Sequence, residues 1–151
     1  MTSLTHSTKP AKLNEIKRIW HLVDLKDKIL GRTTPGIAKL LQGKHKPSYV
    51  PYLDVGDYVV AINAKYVVIS GRKAQTKVYT RYSGYPGGLK VIPYEEMMKR
   101  NPTEIIKRAV SGMLPKNKLR DRRLSRLYIF KDENHPYIGK FQLTNSKDKV
   151  K

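Results

Sequence analysis

One short segment in the middle of the chain is apolar at every position. Residues 58–62 read Tyr-Val-Val-Ala-Ile, with no alternation of polar and apolar side chains. A β-strand that is apolar on both faces belongs in the centre of a sheet that is covered on both sides, and such sheets are mostly parallel. The segment therefore predicts a buried central strand with other elements packed above and below it.

Strand and helix patterns alternate around this segment. Residues 19–25, 66–69 and 127–130 are rich in β-branched, aromatic and other apolar side chains, which predicts three further strands. Helical patterns lie between them. Strands that alternate with helices, together with an apolar central strand, predict an α/β fold with a mainly parallel sheet.

The first helix is predicted from its end signals. Thr33 or Thr34 can cap it, Pro35 suits its first position, and Gly43 suits its end. The other predicted helices are residues 93–98 and a helix that starts at Asn101-Pro102-Thr103-Glu104, with an apolar face formed by Ile105, Ile106, Ala109, Val110 and Met113.

The net charge of the chain indicates a binding partner of opposite charge. Lys and Arg number 31 against 12 Asp and Glu, which gives a net charge of +19. Such a charge repels itself in a lone globular protein, so we expect a polyanion to neutralise it. No apolar run is long enough to span a bilayer, and no basic helix has the aromatic face of a membrane binder. The absence of Cys excludes disulfides and thiolate metal sites.

Basic and aromatic side chains gather in three segments. The densest is residues 112–126, where six basic side chains face one acid, Asp121. Such a segment repels itself, so we expect it to expose its charges. Lys and Arg neutralise phosphates and Tyr stacks on unpaired bases, which predicts RNA as the partner. The predicted RNA-binding residues are Lys44, His45, Lys46, Tyr49, Arg72, Lys73, Lys77, Tyr79, Arg81, Tyr82, Lys116, Lys118, Arg120, Arg122, Arg123 and Arg126.

Two of these segments lack regular patterning. Residues 44–51 are basic, aromatic and bounded by proline, which predicts a loop. Residues 72–90 contain Gly87 and Gly88 and predict a long surface loop with a short strand near 78–82. Glycines there would let the backbone approach a sugar-phosphate chain closely.

A nucleotide-dependent enzyme is one alternative on an α/β domain. The first strand-to-helix turn has Gly31 alone, not the three-glycine fingerprint of dinucleotide sites. Gly43-Lys44-His45 is similar to the end of a P-loop, but Ala38 occupies the place of the upstream glycine and no Ser or Thr follows Lys44. We therefore expect no cofactor and no small-molecule substrate.

A metal-dependent nuclease is a second enzymatic alternative. Asp54 and Asp57 flank Gly56, and clustered carboxylates can hold Mg²⁺. Two acids in a turn before a strand more often accept hydrogen bonds from the backbone or pair with an internal Arg. We favour that structural role.

The four histidines are scattered along the chain, at His6, His21, His45 and His135. None has the spacing of a zinc motif, and there is no Cys to complete one, so no metal site is predicted. His21 alternates with apolar neighbours and is expected to be a half-exposed strand residue. His45 lies between two lysines and is expected to contact phosphate or a base.

The two ends of the chain differ from its middle. Residues 1–18 are predicted to be a flexible basic arm; we favour this over a weak mitochondrial presequence because Pro10 and scattered apolar residues spoil an amphipathic helix. Residues 138–151 are predicted to be a polar, loose tail. The folded domain is expected to span 19–137.

Several motifs follow one another between residues 17 and 137. They are Trp20-His21-Leu22-Val23-Asp24, Leu30-Gly31-Arg32, Gly43-Lys44-His45-Lys46, Asp54-Val55-Gly56-Asp57-Tyr58, Asn63-Ala64, Ser70-Gly71-Arg72-Lys73, Lys77-Val78-Tyr79, Ser83-Gly84-Tyr85-Pro86-Gly87-Gly88 and Ala109-Val110-Ser111-Gly112-Met113-Leu114-Pro115-Lys116. In this combination and order they resemble the ribosomal protein L13 family of the large subunit, of the bacterial and organellar type.

The resemblance implies a three-layer α/β/α domain with a small, mainly parallel four-stranded sheet, plus basic loops and terminal extensions. It implies a structural constituent of the large ribosomal subunit, without catalysis, that binds the 23S-type rRNA directly, lies beside other large-subunit proteins and joins early in assembly. The compartment would be the cytoplasm, with the mitochondrial ribosome as the alternative. Some members are also reported to bind messenger RNA and repress translation, so a free RNA-binding regulator is another alternative.

Two positions depart from the family pattern. Many bacterial members continue after the Gly-Met-Leu-Pro-Lys motif with Leu-Gly-Arg, whereas here Leu119 is followed by Arg120-Asp121-Arg122-Arg123. Mitochondrial members show a similar replacement. Near the C-terminus, Tyr137 replaces the last residue of a His-Pro-His motif. The local RNA contacts are therefore expected to differ from those of typical members.

Overall fold

The computed structural model of the protein describes residues 12–145; the predicted arm at 1–11 and the predicted tail at 146–151 lie outside this range. The helices are α1 (Leu30–Gln42), α2 (Lys73–Thr76), α3 (Tyr94–Arg100), α4 (Pro102–Met113), α5 (Leu119–Leu124) and α6 (Ile138–Asn145). The strands are β1 (Trp20–Asp24), β2 (Tyr58–Ile62), β3 (Val78–Tyr82), β4 (Leu89–Pro93) and β5 (Leu127–Ile129). None of the helices in the described range has the length and apolar character needed to cross a membrane.

Strand β2 lies in the centre of a parallel sheet, between β1 and β5. Val59 pairs with His21 on one side and with Leu127 on the other. Val59, Val60 and Ala61 are fully buried. The prediction of a buried central strand from its uninterrupted apolar sequence is confirmed.

One face of the sheet packs against α1 and α4. Val59 and Ala61 belong to the same apolar cluster as the inward faces of these two helices. Helix α4 follows its sequence pattern, because Pro102 is accommodated at the first position and the apolar residues recur at helical spacing. The buried helix side chains in this cluster are Ile37, Ala38, Leu41, Ile105, Ile106 and Val110.

The other face of the sheet is aromatic. The ring of Trp20 stacks on Tyr58 at 4.4 Å and on Tyr137 at 5.1 Å between centroids, and the edge of Phe141 on α6 lies 6.5 Å away. The sequence predicted a loose tail from residue 138 onward, but residues 138–145 form helix α6. Phe141 of this helix packs against Trp20, and this contact holds α6 on the sheet. With helices on both sides of a parallel sheet, the α/β fold class is confirmed.

The sheet has three strands rather than the four that were expected. The predicted strand at 66–69 is a 3-10 turn over Ala64–Tyr66 followed by a single parallel bridge between Val68 and Ile29. Asn63 adopts a left-handed conformation with φ of 61°, which turns the chain away from the sheet after β2. The β-branched run thus pairs at one point only.

Helix α1 begins at Leu30, earlier than its cap signals predicted. The backbone N–H of Leu30 is donated to the oxygen of Val68 at 2.9 Å, so the bridge to Val68 satisfies a group that a side-chain cap would otherwise serve. Thr33 donates its hydroxyl to the Ile29 oxygen at 3.1 Å inside the helix. The predicted end at Gly43 is confirmed, with φ of 80°.

Two regions contain more structure than the sequence predicted. The strand near 78–82 is confirmed as β3, but residues 72–90 are not a loop, because β3 pairs with β4 in an antiparallel hairpin. Residues 119–124 of the basic segment form helix α5. The hairpin turn carries Gly84 and Gly87 with positive φ, which glycine adopts without strain.

We predict that Gly56→Ala strongly destabilises the fold. A Cβ at this position would lie 1.8 Å from the backbone oxygen of Leu41, so the backbone at Leu41 or at residue 56 would have to move. Such overpacking costs about 1–3 kcal/mol or more. The measurement is the free energy of unfolding in urea.

Gly36→Ala is the matched control. A Cβ at this position would meet nothing within 4 Å, and the residue lies inside α1, so about 0.5–1 kcal/mol of stabilisation is expected. Equal effects at both glycines would contradict the packing argument.

Candidate nucleic-acid interface

Three parallel strands bring their first residues to one edge of the sheet, which we call the amino edge. Asp57, just before β2, is fully buried there. Its Oδ1 accepts the backbone N–H of Ile19 at 3.0 Å and also bonds to the ammonium group of Lys46. Its Oδ2 lies 2.9 Å from Nε2 of His21 and 2.9 Å from Nε2 of His45. One carboxylate therefore joins β1, β2 and the loop after α1.

These contacts decide the charge of Asp57. Burial by itself raises its pKa, but hydrogen bonds from His21, Lys46 and the Ile19 backbone outweigh burial and lower the pKa to about 2. The carboxylate is therefore ionised near neutral pH. His21 is half-buried and satisfied in its strand, as its sequence pattern predicted.

Asp54 holds the basic segment against the same edge. The guanidinium of Arg126 makes two contacts with its carboxylate, one of them 2.6 Å from Nη2 to Oδ1. Arg123 lies 3.7 Å from the same carboxylate and Arg18 lies 3.8 Å away. The structural role predicted for Asp54 and Asp57, as acceptors for internal cations and backbone, is confirmed.

Arg123 and Arg126 are only 1% and 5% exposed. The expectation that the basic segment cannot bury its charges is therefore wrong for these two residues. The cause is tertiary: α5 turns Arg123 inward, and the loop before β2 delivers the carboxylate of Asp54 to meet both guanidinium groups. Both arginines pair internally with Asp54, and their contact with RNA stays a prediction.

Lys46 is also turned inward. Its ammonium nitrogen lies 2.8 Å from the oxygen of Lys17 and 3.0 Å from the oxygen of Val55, and it bonds to Asp57 as well. An ammonium group has three protons, and three acceptors surround this one. Lys46 therefore ties the loop to its neighbours, and its contact with RNA stays a prediction. The neighbouring Lys44 remains exposed.

The other predicted RNA-binding residues face the solvent to different degrees. Exposed ones are Lys44, His45, Arg72, Lys73, Arg81, Tyr82, Lys116, Lys118 and Arg122, and half-buried ones are Tyr49, Lys77, Tyr79 and Arg120. Although His45 is exposed, its Nε2 is committed to Asp57, so only the other edge of the ring is open to a ligand. The structure thus divides the predicted set into inward residues that hold the amino edge and outward residues on that edge, on α5 and on the β3–β4 hairpin.

The β3–β4 hairpin is a separate basic projection. On its inner side Tyr79 is half-buried, with Arg108 of α4 over its ring at 5.4 Å, and burial raises the pKa of this tyrosine. At its outer end Arg81 pairs directly across the strands with Lys90, a residue that sequence reasoning missed because the hairpin was taken for a loop. Like charges placed opposite each other are unfavourable, so an anion between them would be stabilising.

The opposite edge of the sheet, formed by the strand ends, has the reverse charge. It holds an open depression of about 560 Å³ lined by Asp24, Lys26, Ile62, Asn63, Tyr66, Asp132 and Glu133. A backbone hydrogen bond from Lys26 and a side-chain bond from Asn63 lower the pKa of Asp24. In α/β enzymes this carboxyl edge is where ligands bind. We call this the acidic edge, because three carboxylates line the depression against one lysine, although Asp132 is paired with Lys65.

We predict that Asp54→Ala costs about 3–5 kcal/mol of unfolding free energy, because it leaves the buried guanidinium groups of Arg123 and Arg126 without their counter-charge. Urea denaturation measures this loss. The matched control is Asp132→Ala, which removes an exposed pair with Lys65 and should cost much less, because solvent screens exposed ion pairs. Similar losses for the two variants would show that Asp54 does not hold the edge together.

Comparison with known proteins shows the family of this chain. The family model described as Ribosomal protein L13 matches residues 18–136. The chain is 47% identical to the large ribosomal subunit protein uL13 of Chloroflexus aggregans, over 89% of this chain and 92% of that protein. It is 50% identical to the protein of the same name from Clostridioides difficile, over 85% and 90% of the two chains. The chain belongs to the ribosomal protein L13 family.

Proposed function

We propose that this protein is a structural constituent of the large ribosomal subunit that binds large-subunit rRNA directly and joins early in assembly. The L13 family is a structural, non-enzymatic component of the ribosome. The observation that supports direct RNA contact is a group of exposed basic side chains within residues 112–126. Within the described residues, Lys116, Lys118 and Arg122 stand exposed without an ion pair, although Asp121 lies among them.

The mechanism is neutralisation of close-packed phosphates on a fixed frame. Arg123 and Arg126 anchor the basic segment to Asp54, so Arg122 is displayed from an ordered helix and Lys118 from the N-cap of that helix. Contacts to phosphate and sugar position a protein on RNA and read its shape without reading its bases. The surface therefore suits folded rRNA, in which phosphates from several strands come close together.

The hairpin supplies a second contact of different chemistry. Tyr82 is 63% exposed, beside the like-charged pair of Arg81 and Lys90. Exposed tyrosines stack on unpaired bases, and the two cations would hold the neighbouring phosphates. The proposed RNA contacts are thus Lys44, Arg72, Lys73, Lys77, Arg81, Tyr82, Lys116, Lys118, Arg120 and Arg122, with Lys90 added.

The domain division is part of the proposal. We place the RNA-binding unit at 19–137, with a basic arm before it and a C-terminal extension after it whose first part, α6, packs on the aromatic face. The relatives compared are bacterial, which favours the large subunit of a bacterial cytoplasm over the mitochondrial alternative.

The nuclease alternative loses its support from the geometry. Asp54 is engaged by arginines, and Asp57 by a lysine and two imidazole nitrogens. Mg²⁺ prefers a set of oxygen ligands, which this pattern does not provide. Messenger RNA binding by a free protein is instead an outcome that the experiment below distinguishes.

The experiment is sedimentation of tagged protein from a cell lysate through a magnesium-containing sucrose gradient, with and without a high-salt wash. We expect co-migration with the large subunit that survives the wash. Recovery only at the top of the gradient would overturn the ribosomal assignment and favour a free RNA-binding regulator.

A binding measurement tests the surface itself. If the purified chain contacts about six to ten phosphates, its affinity for an rRNA fragment should fall roughly 10³–10⁵-fold between 50 and 200 mM salt, by the rule for duplex DNA. Replacing both Lys118 and Arg122 by Gln should lower the slope of log affinity against log salt by about two. Lys26→Gln is the control, because Lys26 is exposed on the acidic edge. An affinity that ignores salt, or equal effects of the two changes, would refute the proposed surface.

A further inference from the structure

The fold brings two histidines and one aspartate together although they are scattered in sequence. His21 lies on β1, His45 in the loop after α1, and Asp57 before β2. One ligand atom from each lies within 4.8 Å of the other two. We propose that His21, His45 and Asp57 form a binding site for a divalent transition-metal ion of the Zn²⁺ type, independent of RNA binding.

The two oxygens of Asp57 have separate tasks. Oδ1 is held by the Ile19 backbone N–H and by Lys46. Oδ2 faces the two imidazole Nε2 atoms, each at 2.9 Å. Partners on the second oxygen of a ligating carboxylate fix its orientation, as carboxylates and carbonyls do for ligating histidines. The oxygen that would bind a metal is therefore already aimed by groups outside the metal's coordination sphere.

The two histidines are compatible with both a metal-free and a metal-bound state of the site. Without metal, each Nε2 must carry its proton to bond to Oδ2. With the proton on Nδ1, both Nε2 lone pairs would point to the region in front of Oδ2. Zinc bonds to nitrogen and oxygen at about 2.0–2.2 Å, so tetrahedral ligand atoms lie roughly 3.3 Å apart. Each Nε2 lies 2.9 Å from Oδ2, so each imidazole would move outward from that oxygen by roughly a few tenths of an ångström.

Burial and access also suit a metal site. The Asp57 side chain is fully buried, which holds one ligand rigidly, whereas His21 and His45 are 28% and 29% exposed and leave a route for the ion. The fourth position would be open to solvent. Two imidazoles and one carboxylate are a ligand set that zinc accepts, and a hard ion such as Mg²⁺ is disfavoured by the nitrogen donors.

A bound ion would cross-link the amino edge. It would join the first strand, the loop that displays Lys44 and the start of the central strand, in addition to the contacts that Asp57 already makes. The expected result is a stiffer loop and a higher unfolding temperature in the presence of the ion, because a ligand that binds only the folded state stabilises it.

The test is titration of the purified chain with CoCl₂ and ZnCl₂. Co²⁺ is expected to bind with a stoichiometry of one and to give the visible absorption of a low-symmetry nitrogen–oxygen site. Zn²⁺ should displace it, whereas the same concentration of MgCl₂ should not. The chain has no Cys, so thiolates cannot produce the signal. Absence of saturable binding would overturn the proposal.

Matched variants locate the site. His45→Gln is expected to weaken Co²⁺ and Zn²⁺ binding at least about tenfold and to abolish the Zn²⁺-induced rise in Tm. His21→Gln repeats the test from a different element, and circular dichroism confirms that each variant is folded. The control is the double variant His6→Gln, His135→Gln, which removes the other two histidines and should bind as the parent does. Loss of binding in that control, with binding kept in His45→Gln and His21→Gln, would refute this site and leave the RNA proposal untouched.

Discussion

Two carboxylates, fully buried Asp57 and half-buried Asp54, organise this molecule. A chain with a net charge of +19 can fold only if the cations that point inward are neutralised, and at the amino edge Asp54 and Asp57 do this. Asp54 gathers guanidinium groups from α5 and from the start of β5, and Asp57 gathers an ammonium group and two imidazoles. The loop before β2, the first strand and the basic segment depend on one another through these two side chains.

This arrangement separates the charges that stabilise the fold from the charges that we propose to bind RNA. The same short helix, α5, turns Arg123 to Asp54 and leaves Arg122 exposed. A basic surface without internal anchors would repel itself and stay mobile, and its ordering would then oppose binding. Here part of the charge is used to fix the backbone that carries the rest.

The sequence was informative where local pattern decides structure. The apolar run of β2, the helical periodicity of α4 and the Gly43 stop of α1 correctly predicted a parallel α/β core. The missed features depend on partners far away in sequence: Asp54 and Arg126 are 72 residues apart, and no local signal shows that they meet. The start of α1 was mispredicted because Val68 accepts the N–H of Leu30. His21 and His45 looked unrelated for the same reason.

The free protein also carries interactions that are unfavourable until a partner arrives. Arg81 lies directly opposite Lys90 on the hairpin, so two cations face each other across the strands. An anion that binds between these two cations would remove their repulsion. The repulsion in the free protein would therefore increase the affinity for the anion. Asp54 and Asp57 keep the unbound fold intact despite this cost. The inward charges thus set the stability of the domain, and the outward charges are left for the polyanion that we propose as its partner.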